Sequence, residues 1–115
     1  YRYDPAKHEL ILEQERDIRE FCGMRKEFYT TAPLTLIPVS DLAKMKAKNI
    51  PEEQARIYAS LHIGCVVQNI YLYAASAGFA TVCTASVDTK KLAEEMKLSP
   101  DCVIAVTMPF GKEKP

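Results

Sequence analysis

Residues 70–86 read IYLYAASAGFATVCTAS and contain no charged residue. The first half has a helical rhythm, whereas the second half, after Gly78, is a β-rich run of small residues and threonines. Glycine readily takes the left-handed conformation that closes a helix. The stretch therefore predicts a helix that ends at residue 77 and an extended segment over residues 79–86.

The helix extends well upstream of this stretch. Pro51 is compatible with a first helical turn, and Glu52 and Glu53 favour a helix N-terminus. The resulting helix has about 26 residues and a length of about 39 Å.

No charged residue lies between Arg56 and Asp88, which leaves two explanations, a membrane span or a core helix. A span needs about 20 apolar residues, so length alone permits it. His62, Gln68 and Asn69 interrupt the apolar run, and basic residues do not cluster at one end. The pattern favours a buried helix, shared between subunits, over a membrane protein. Small residues along it allow close approach of another helix: Gly64, Cys65, Ala74, Ala75 and Ala77.

The rest of the chain predicts short elements around this helix. The first half of the chain predicts a hairpin over 1–13 with its turn at 4–7, one or two short helices over 17–29 interrupted at Gly23, and a strand over 34–39 with an edge or bulge at Pro38. A short helix over 42–46, capped by Ser40 and Asp41, precedes the long helix. After it come a helix over 89–97, capped by Asp88 with Leu92, Ala93 and Met96 facing the core, and a strand over 102–108 that is apolar almost throughout. The order β-β-α-β-α-α-β-α-β indicates an α+β or α/β layered fold.

Composition limits the function classes. The chain has 115 residues, of which 48% are hydrophobic, which suits one domain with its own core. Fifteen basic residues balance fifteen acidic ones, so there is no global electrostatic case for nucleic acid or anionic lipid. Cysteines at 22, 65, 83 and 102 lack Cys-x-x-Cys spacing. We expect no metal site, and we expect free thiols in a reducing cytoplasm.

Residues 62–82, HIGCVVQNIYLYAASAGFATV, resemble the central helix of the FMN-dependent nitroreductase family, where Gln-Asn precedes aliphatic residues, alanines, a glycine and an extended run. Residues 88–111 resemble the family's following helix and closing strand. Residues 1–10 and 32–36 are similar to the branch that includes thiazole/oxazole-forming dehydrogenases. The resemblance implies an α+β fold with a nitroreductase-like three-layer arrangement, in which an antiparallel-rich sheet surrounds a long buried central helix. It also implies FMN, NAD(P)H as co-substrate and a homodimer.

One family feature has no counterpart in this sequence. The family's arginine-rich N-terminal segment, of the Arg-Arg-Ser-x-Arg type, binds FMN, and the nearest basic cluster here is Met24-Arg25-Lys26 in a different context. We therefore expect residues 1–115 to form a single nitroreductase-like domain that corresponds to the C-terminal part of the full family domain.

The resemblance also implies a cofactor site. Backbone N–H groups near flavin O4 and N5 stabilise the reduced ring, and small residues allow such an approach. At the place where the family has its flavin contact, this sequence has residues 82–86. The resemblance implies that Val82 and Cys83 lie against a face of the flavin ring, and that Thr84, Ala85 and Ser86 lie at its edge. Lys112 and Lys114 follow the last strand, where the family often places a phosphate ligand. For residues 79–86 the alternative is a strand that is merely packed in the core. For Lys112 and Lys114 the alternative is a solvated tail.

Other polar residues of the long helix have simpler interpretations. His62 and Cys65 share a helix face, and we expect a hydrogen-bonded histidine and a core cysteine instead of a nucleophile pair. Gln68 and Asn69 need partners on the backbone or across an interface. Tyrosines of this helix are expected in the core or an interface: Tyr58, Tyr71 and Tyr73.

These observations predict an FMN oxidoreductase that passes hydride from NAD(P)H to an electron-poor small molecule, such as a nitroaromatic or quinone, by a ping-pong reaction. Flavin N5 carries the chemistry, so no catalytic side chain is expected. Two alternatives remain: a dehydrogenase that oxidises a peptide azoline, and a catalytically silent ligand-binding or interaction domain.

Overall fold

The computed structural model describes residues 1–112. Its strands are β1 (Arg2–Asp4), β2 (Glu9–Ile11), β3 (Leu34–Leu36), β4 (Val39–Asp41), β5 (Phe79–Thr81), β6 (Cys102–Ile104) and β7 (Met108–Lys112). Its helices are a 3-10 turn (Arg19–Phe21), α1 (Lys26–Thr31), α2 (Ala43–Lys46), α3 (Glu52–Ala77) and α4 (Thr89–Glu95). The α+β fold class is confirmed, and every strand pair among the described residues is antiparallel.

The strands form three small ladders. β1 and β2 make the predicted N-terminal hairpin, β4 pairs with β6, and β7 lies between β3 and β5. The central position of β7 explains why its residues are among the most buried of the chain, with Met108 fully covered.

The prediction of a single strand over 102–108 is wrong, because the chain forms two strands there, β6 and β7. Leu36 faces Met108 and Val39 faces Ile104, so two residues on one side oppose three on the other. Such a mismatch is a bulge, and Pro38 supplies the reason, since it has no N–H to donate to the ladder. On its other side, Thr107 pairs with Thr84 in an isolated bridge.

Helix α3 has the predicted length and end. It runs for 26 residues and is closed by Gly78, whose φ of 70° is left-handed. The amide of Gly78 donates to the carbonyl of Ala74, as expected for a glycine C-cap.

The predicted burial of α3 is incorrect for most of its surface. Its buried residues form one stripe: Ala55, Ala59, Ile63 and Ala74. Large apolar side chains elsewhere on the helix are exposed: Ile57, Tyr58, Leu61, Val66, Leu72 and Tyr73. The described chain packs β4 and β5 against α3 but supplies no second layer on its outer face.

Two clusters of buried residues stand out in the core of residues 1–112. One combines Cys22, Tyr29, Leu92 and Ile104, with Ala93 and Met96 packed against it as predicted. The other joins Leu42 of the α2 region to Ala55 and Ala59 of α3. Asp88 caps α4 through its Oδ1, which accepts a hydrogen bond from the amide of Lys91 at 3.0 Å. The first cluster lies next to the segment that carries the predicted site.

Candidate functional site

The segment after β5 continues alongside β7 in the same register. Thr81 faces Phe110, and Thr84 faces Thr107 in a bridge in which each amide donates to the other residue's carbonyl at 3.0 Å. Pro109 lies between these two pairs and has no N–H to donate. The Thr81 hydroxyl donates to the Pro109 carbonyl at 2.8 Å. The backbone bridge with Thr107 thus fixes the segment beside β7 at Thr84.

Cys83 connects this segment to the long helix. Its amide donates to the hydroxyl of Tyr71 on α3 at 2.6 Å. Burial raises the pKa of the Cys83 thiol, which disfavours the reactive thiolate. Cys83 therefore acts through its backbone amide, which the Tyr71 hydroxyl holds in place.

Two backbone amides that follow Thr84 remain available. The Ser86 carbonyl accepts from the Met24 amide at 3.1 Å, and the Ala85 carbonyl accepts from the Val87 amide at 2.9 Å. Within residues 1–112, no protein acceptor receives the N–H of Ala85 or Ser86, and both residues are exposed. A backbone N–H is an obligatory donor. The segment consequently presents two adjacent donors to solvent or to a ligand.

A row of hydroxyl groups lies beneath these amides. The Tyr29 hydroxyl contacts the hydroxyls of Thr84 and Thr107, the latter at 3.1 Å, and the Thr107 hydroxyl donates to the Cys22 carbonyl at 2.6 Å. Tyr29 is 2% exposed and Thr107 is 0% exposed. Burial raises the pKa of the neighbouring Cys22 thiol to about 11, with a smaller contribution from Asp17.

Gly23 makes room for the Tyr29 ring. A Cβ at this position would lie 2.7 Å from Cζ of Tyr29, closer than carbon atoms approach. The glycine is therefore required by the position of the tyrosine.

Five of the six predicted site residues are consecutive in the chain. They are Val82, which is 40% exposed, and Cys83 to Ser86, which follow β5. Lys112 is exposed at the end of β7, five positions beyond Thr107, or about 17 Å along a strand. At this distance, Lys112 can contact a ligand bound by the Ala85 and Ser86 amides only at the end of the ligand that is farthest from them. Lys114 lies outside the described residues.

Sequence reasoning missed three residues that hold the segment: Tyr29, Tyr71 and Thr107. Tyr71 was assigned to the core or an interface, and Tyr29 and Thr107 were not assigned a role. No local pattern connects Tyr29 with residues 55 and 78 positions away. The available signal was Gly23, which lies in a charged, helix-forming region.

The interpretation of His62 and Cys65 as core residues was wrong. Both are exposed on α3, because they lie outside the stripe that faces the sheet. Gln68 is exposed as well, and Asn69 lines an apolar groove of about 530 Å³ between α3 and the β3–β7–β5 sheet. None of the residues 82–86 lines this groove.

The described part of the chain contains no group of three potential metal ligands. None of the helices in residues 1–112 has the length and apolarity needed to cross a bilayer.

Comparison with known proteins establishes the family. The model of the nitroreductase family matches residues 1–112. The chain belongs to the nitroreductase family. A candidate nitroreductase from Methanocaldococcus jannaschii is 22% identical over 116 residues, which cover 98% of this chain and 57% of that protein.

Solved structures show the same fold. A candidate nitroreductase from Ralstonia eutropha JMP134 has 31% identity and a TM-score of 0.87, over 100% of this chain and 53% of that one. A candidate NAD(P)H:FMN oxidoreductase from Staphylococcus epidermidis has 18% identity and a TM-score of 0.74, over 85% of this chain and 61% of that one. This nitroreductase-family chain thus spans slightly more than half the length of these relatives.

Proposed function

We propose that the chain forms part of an FMN-dependent oxidoreductase, in which hydride passes from NAD(P)H to an electron-poor acceptor, such as a nitroaromatic or quinone, by a ping-pong reaction. The observation that carries the proposal is the pair of amides at the exposed residues Ala85 and Ser86, which no acceptor within residues 1–112 receives, on a segment held by Tyr29, Tyr71 and Thr107. Family membership supports an oxidoreductase. The similarity to the candidate NAD(P)H:FMN oxidoreductase from Staphylococcus epidermidis supports NAD(P)H and FMN.

The residues present fit a flavin edge. Ala85 has the smallest chiral side chain, so a ring edge can approach its backbone, and Val82 offers an exposed apolar surface to a ring face. FMN, when bound, supplies an N5 atom that accepts the hydride and later releases it to the acceptor. The chain's amides would stabilise the negative charge that develops at the ring edge, without a titrating side chain.

Lys112 is proposed as a partner of the FMN phosphate. It is exposed at the end of β7, and a phosphate is bound most strongly by charge-assisted hydrogen bonds. Its place at the far end of β7 from Thr107 suits a ligand with a ring at one end and a phosphate at the other.

We also infer a homodimer in which the outer face of α3 is covered by the second copy. Leu61 and Leu72 are each at least 60% exposed and share this face with Ile57, which is 49% exposed. An exposed apolar surface of this kind marks an interaction site. Gly64 has nothing within 4 Å of a Cβ position, which leaves space for a neighbouring helix. The four free cysteines agree with a cytoplasmic location.

The test of the function uses the protein purified with every residue that its gene encodes. Its visible spectrum should show bound flavin, FMN should bind with micromolar affinity or better, and bound flavin should be reduced by NADH or NADPH and reoxidised by a quinone. Absence of flavin, together with no FMN binding at millimolar concentration, would contradict the proposal and favour the silent domain. Oxidation of an azoline peptide without NAD(P)H would favour the dehydrogenase.

A further inference from the structure

The segment that presents the two amides is fastened at both ends by one short stretch of chain. Tyr29 contacts the Thr84 side chain at the first end. Met24 donates its amide to the Ser86 carbonyl at the other end, at 3.1 Å. Residues 22–29, which we call the clamp, therefore fix the backbone on either side of the Ala85 and Ser86 amides.

The hydroxyl row ends on a carbonyl, which can only accept. The Thr107 hydroxyl donates to the Cys22 carbonyl at 2.6 Å and lies 3.1 Å from the Tyr29 hydroxyl, which in turn contacts the Thr84 hydroxyl. The row therefore connects the Thr84 side chain to the backbone at Cys22.

The Tyr29 ring is itself fixed. It is buried in the cluster with Cys22, Leu92 and Ile104. The absence of a side chain at Gly23 leaves a slot that the ring fills. Interiors packed in this way transmit small displacements, so a shift of the ring is passed to the Thr84 side chain that its hydroxyl contacts.

We propose that Tyr29 is a positioning residue, whose hydroxyl sets the direction in which the Ala85 and Ser86 amides point toward the flavin edge. This inference rests on the proposed function. Tyr29 contacts no ligand in this account and acts through Thr84. Hydrogen bonds to developing charge depend on preorganised donors, and a displacement of about 1 Å can cost a hundredfold in rate.

The test compares Tyr29→Phe, Thr84→Val and the double variant in the flavin-loaded protein. Each removes one member of the row with little change of shape. We expect each single variant to slow flavin reduction by NAD(P)H about tenfold and to lower the midpoint potential of the bound flavin. The double variant should be no worse than either single variant, because the two hydroxyls act as a unit.

A second readout does not depend on flavin. In the flavin-free protein, NMR order parameters of the Ala85 and Ser86 amides should fall in Tyr29→Phe. The matched control is Thr81→Val, which removes a side-chain hydrogen bond to Pro109 on the same segment but outside the clamp. It should leave the amide order parameters, the potential and the reduction rate unchanged.

The outcomes separate the two proposals. A parent protein that binds no FMN would overturn the proposed function and this inference with it. A parent that binds FMN, with parental potential, rate and order parameters in Tyr29→Phe, would overturn the positioning role alone. The positioning role would also be overturned if Thr81→Val changed the potential, the reduction rate and the order parameters as much as Tyr29→Phe does. If Tyr29→Phe does not fold, Thr84→Val decides in the same way.

Discussion

Gly78 divides one uncharged stretch into two regions that lack charge for different reasons. Before the glycine, α3 leaves large apolar side chains exposed, with Leu61 at 61% and Leu72 at 60%. After it, residues 82–86 have small or half-buried side chains and expose backbone amides. The difference teaches that absence of charge does not by itself indicate burial. In the first region it fits a protein surface, and in the second it fits the close approach of a small ligand.

The largest expected effect concerns the helix. Leu61→Asp should weaken self-association at least about a hundredfold, because each copy loses roughly 1.5–3 kcal/mol of apolar burial and the symmetric interface counts it twice. Light scattering at micromolar concentration should give a dimer mass for the parent and a monomer mass for the variant.

The control for this change is Leu10→Asp, at a leucine of β2 that is 66% exposed. It should leave the dimer intact. A monomeric parent, or a Leu61→Asp variant that remains dimeric, would remove the distinction between the two regions.

A second prediction compares two glycines. Gly23→Ala should lower the free energy of unfolding by about 1–3 kcal/mol, because its Cβ overlaps the buried Tyr29 ring. Gly64→Ala, on the exposed helix face with nothing within 4 Å, should raise it by roughly 0.5–1 kcal/mol. Urea unfolding of both variants in the Leu61→Asp background measures the difference. Equal effects would contradict the packing described around Tyr29.

The local patterns predicted the end of α3 and the start of α4 well, and they predicted the long-range pairings poorly. The Gly78 cap and the Asp88 cap depend on residues within one helical turn, so the sequence displays them directly. The split between β6 and β7 depends on Pro38, which lies more than 60 positions away and removes a ladder donor from the opposite strand. The burial of α3 was overpredicted because an uncharged surface looks the same whether the same chain or another molecule covers it.

The sequence allowed a prediction of the segment that would contact the cofactor, but not of the side chains that hold this segment in place. The resemblance assigns residues 82–86 to the cofactor because they are contiguous in sequence, and that assignment stays a prediction. The hydroxyls beneath them come from Tyr29, Thr84 and Thr107, separated by 55 and 23 positions. Their association is produced by the fold.

A third prediction tests the far end of the cofactor site. Lys112→Ala should weaken FMN binding about tenfold through loss of a charge-assisted contact, and it should leave riboflavin binding unchanged because riboflavin has no phosphate. Fluorescence titration of both ligands provides the measurement. Lys90→Ala, at an exposed lysine of α4, is the matched control. An equal loss of riboflavin affinity would show that Lys112 does not act on the phosphate.

The smallest effect is a pH dependence in the cluster that supports the site. Burial raises the pKa of the Cys22 thiol from 9.0 to about 11. Since the folded state holds the proton more tightly, this stability is fully present below pH 9.0 and is lost as the pH rises from 9.0 to about 11. The free energy of unfolding should fall over that range in the parent and fall less in Cys22→Ala. Identical slopes would contradict a buried thiol.

The most direct test of the central claim is made at Ala85. Ala85→Ile should place a branched side chain where the ring edge approaches the backbone, so flavin content per chain should fall and any remaining flavin should be reduced more slowly. The thermal midpoint should change little, because Ala85 is exposed. Ala80→Ile, also exposed but on β5, should keep its flavin. Full occupancy and a parental reduction rate in Ala85→Ile would contradict the assignment of this segment to the cofactor.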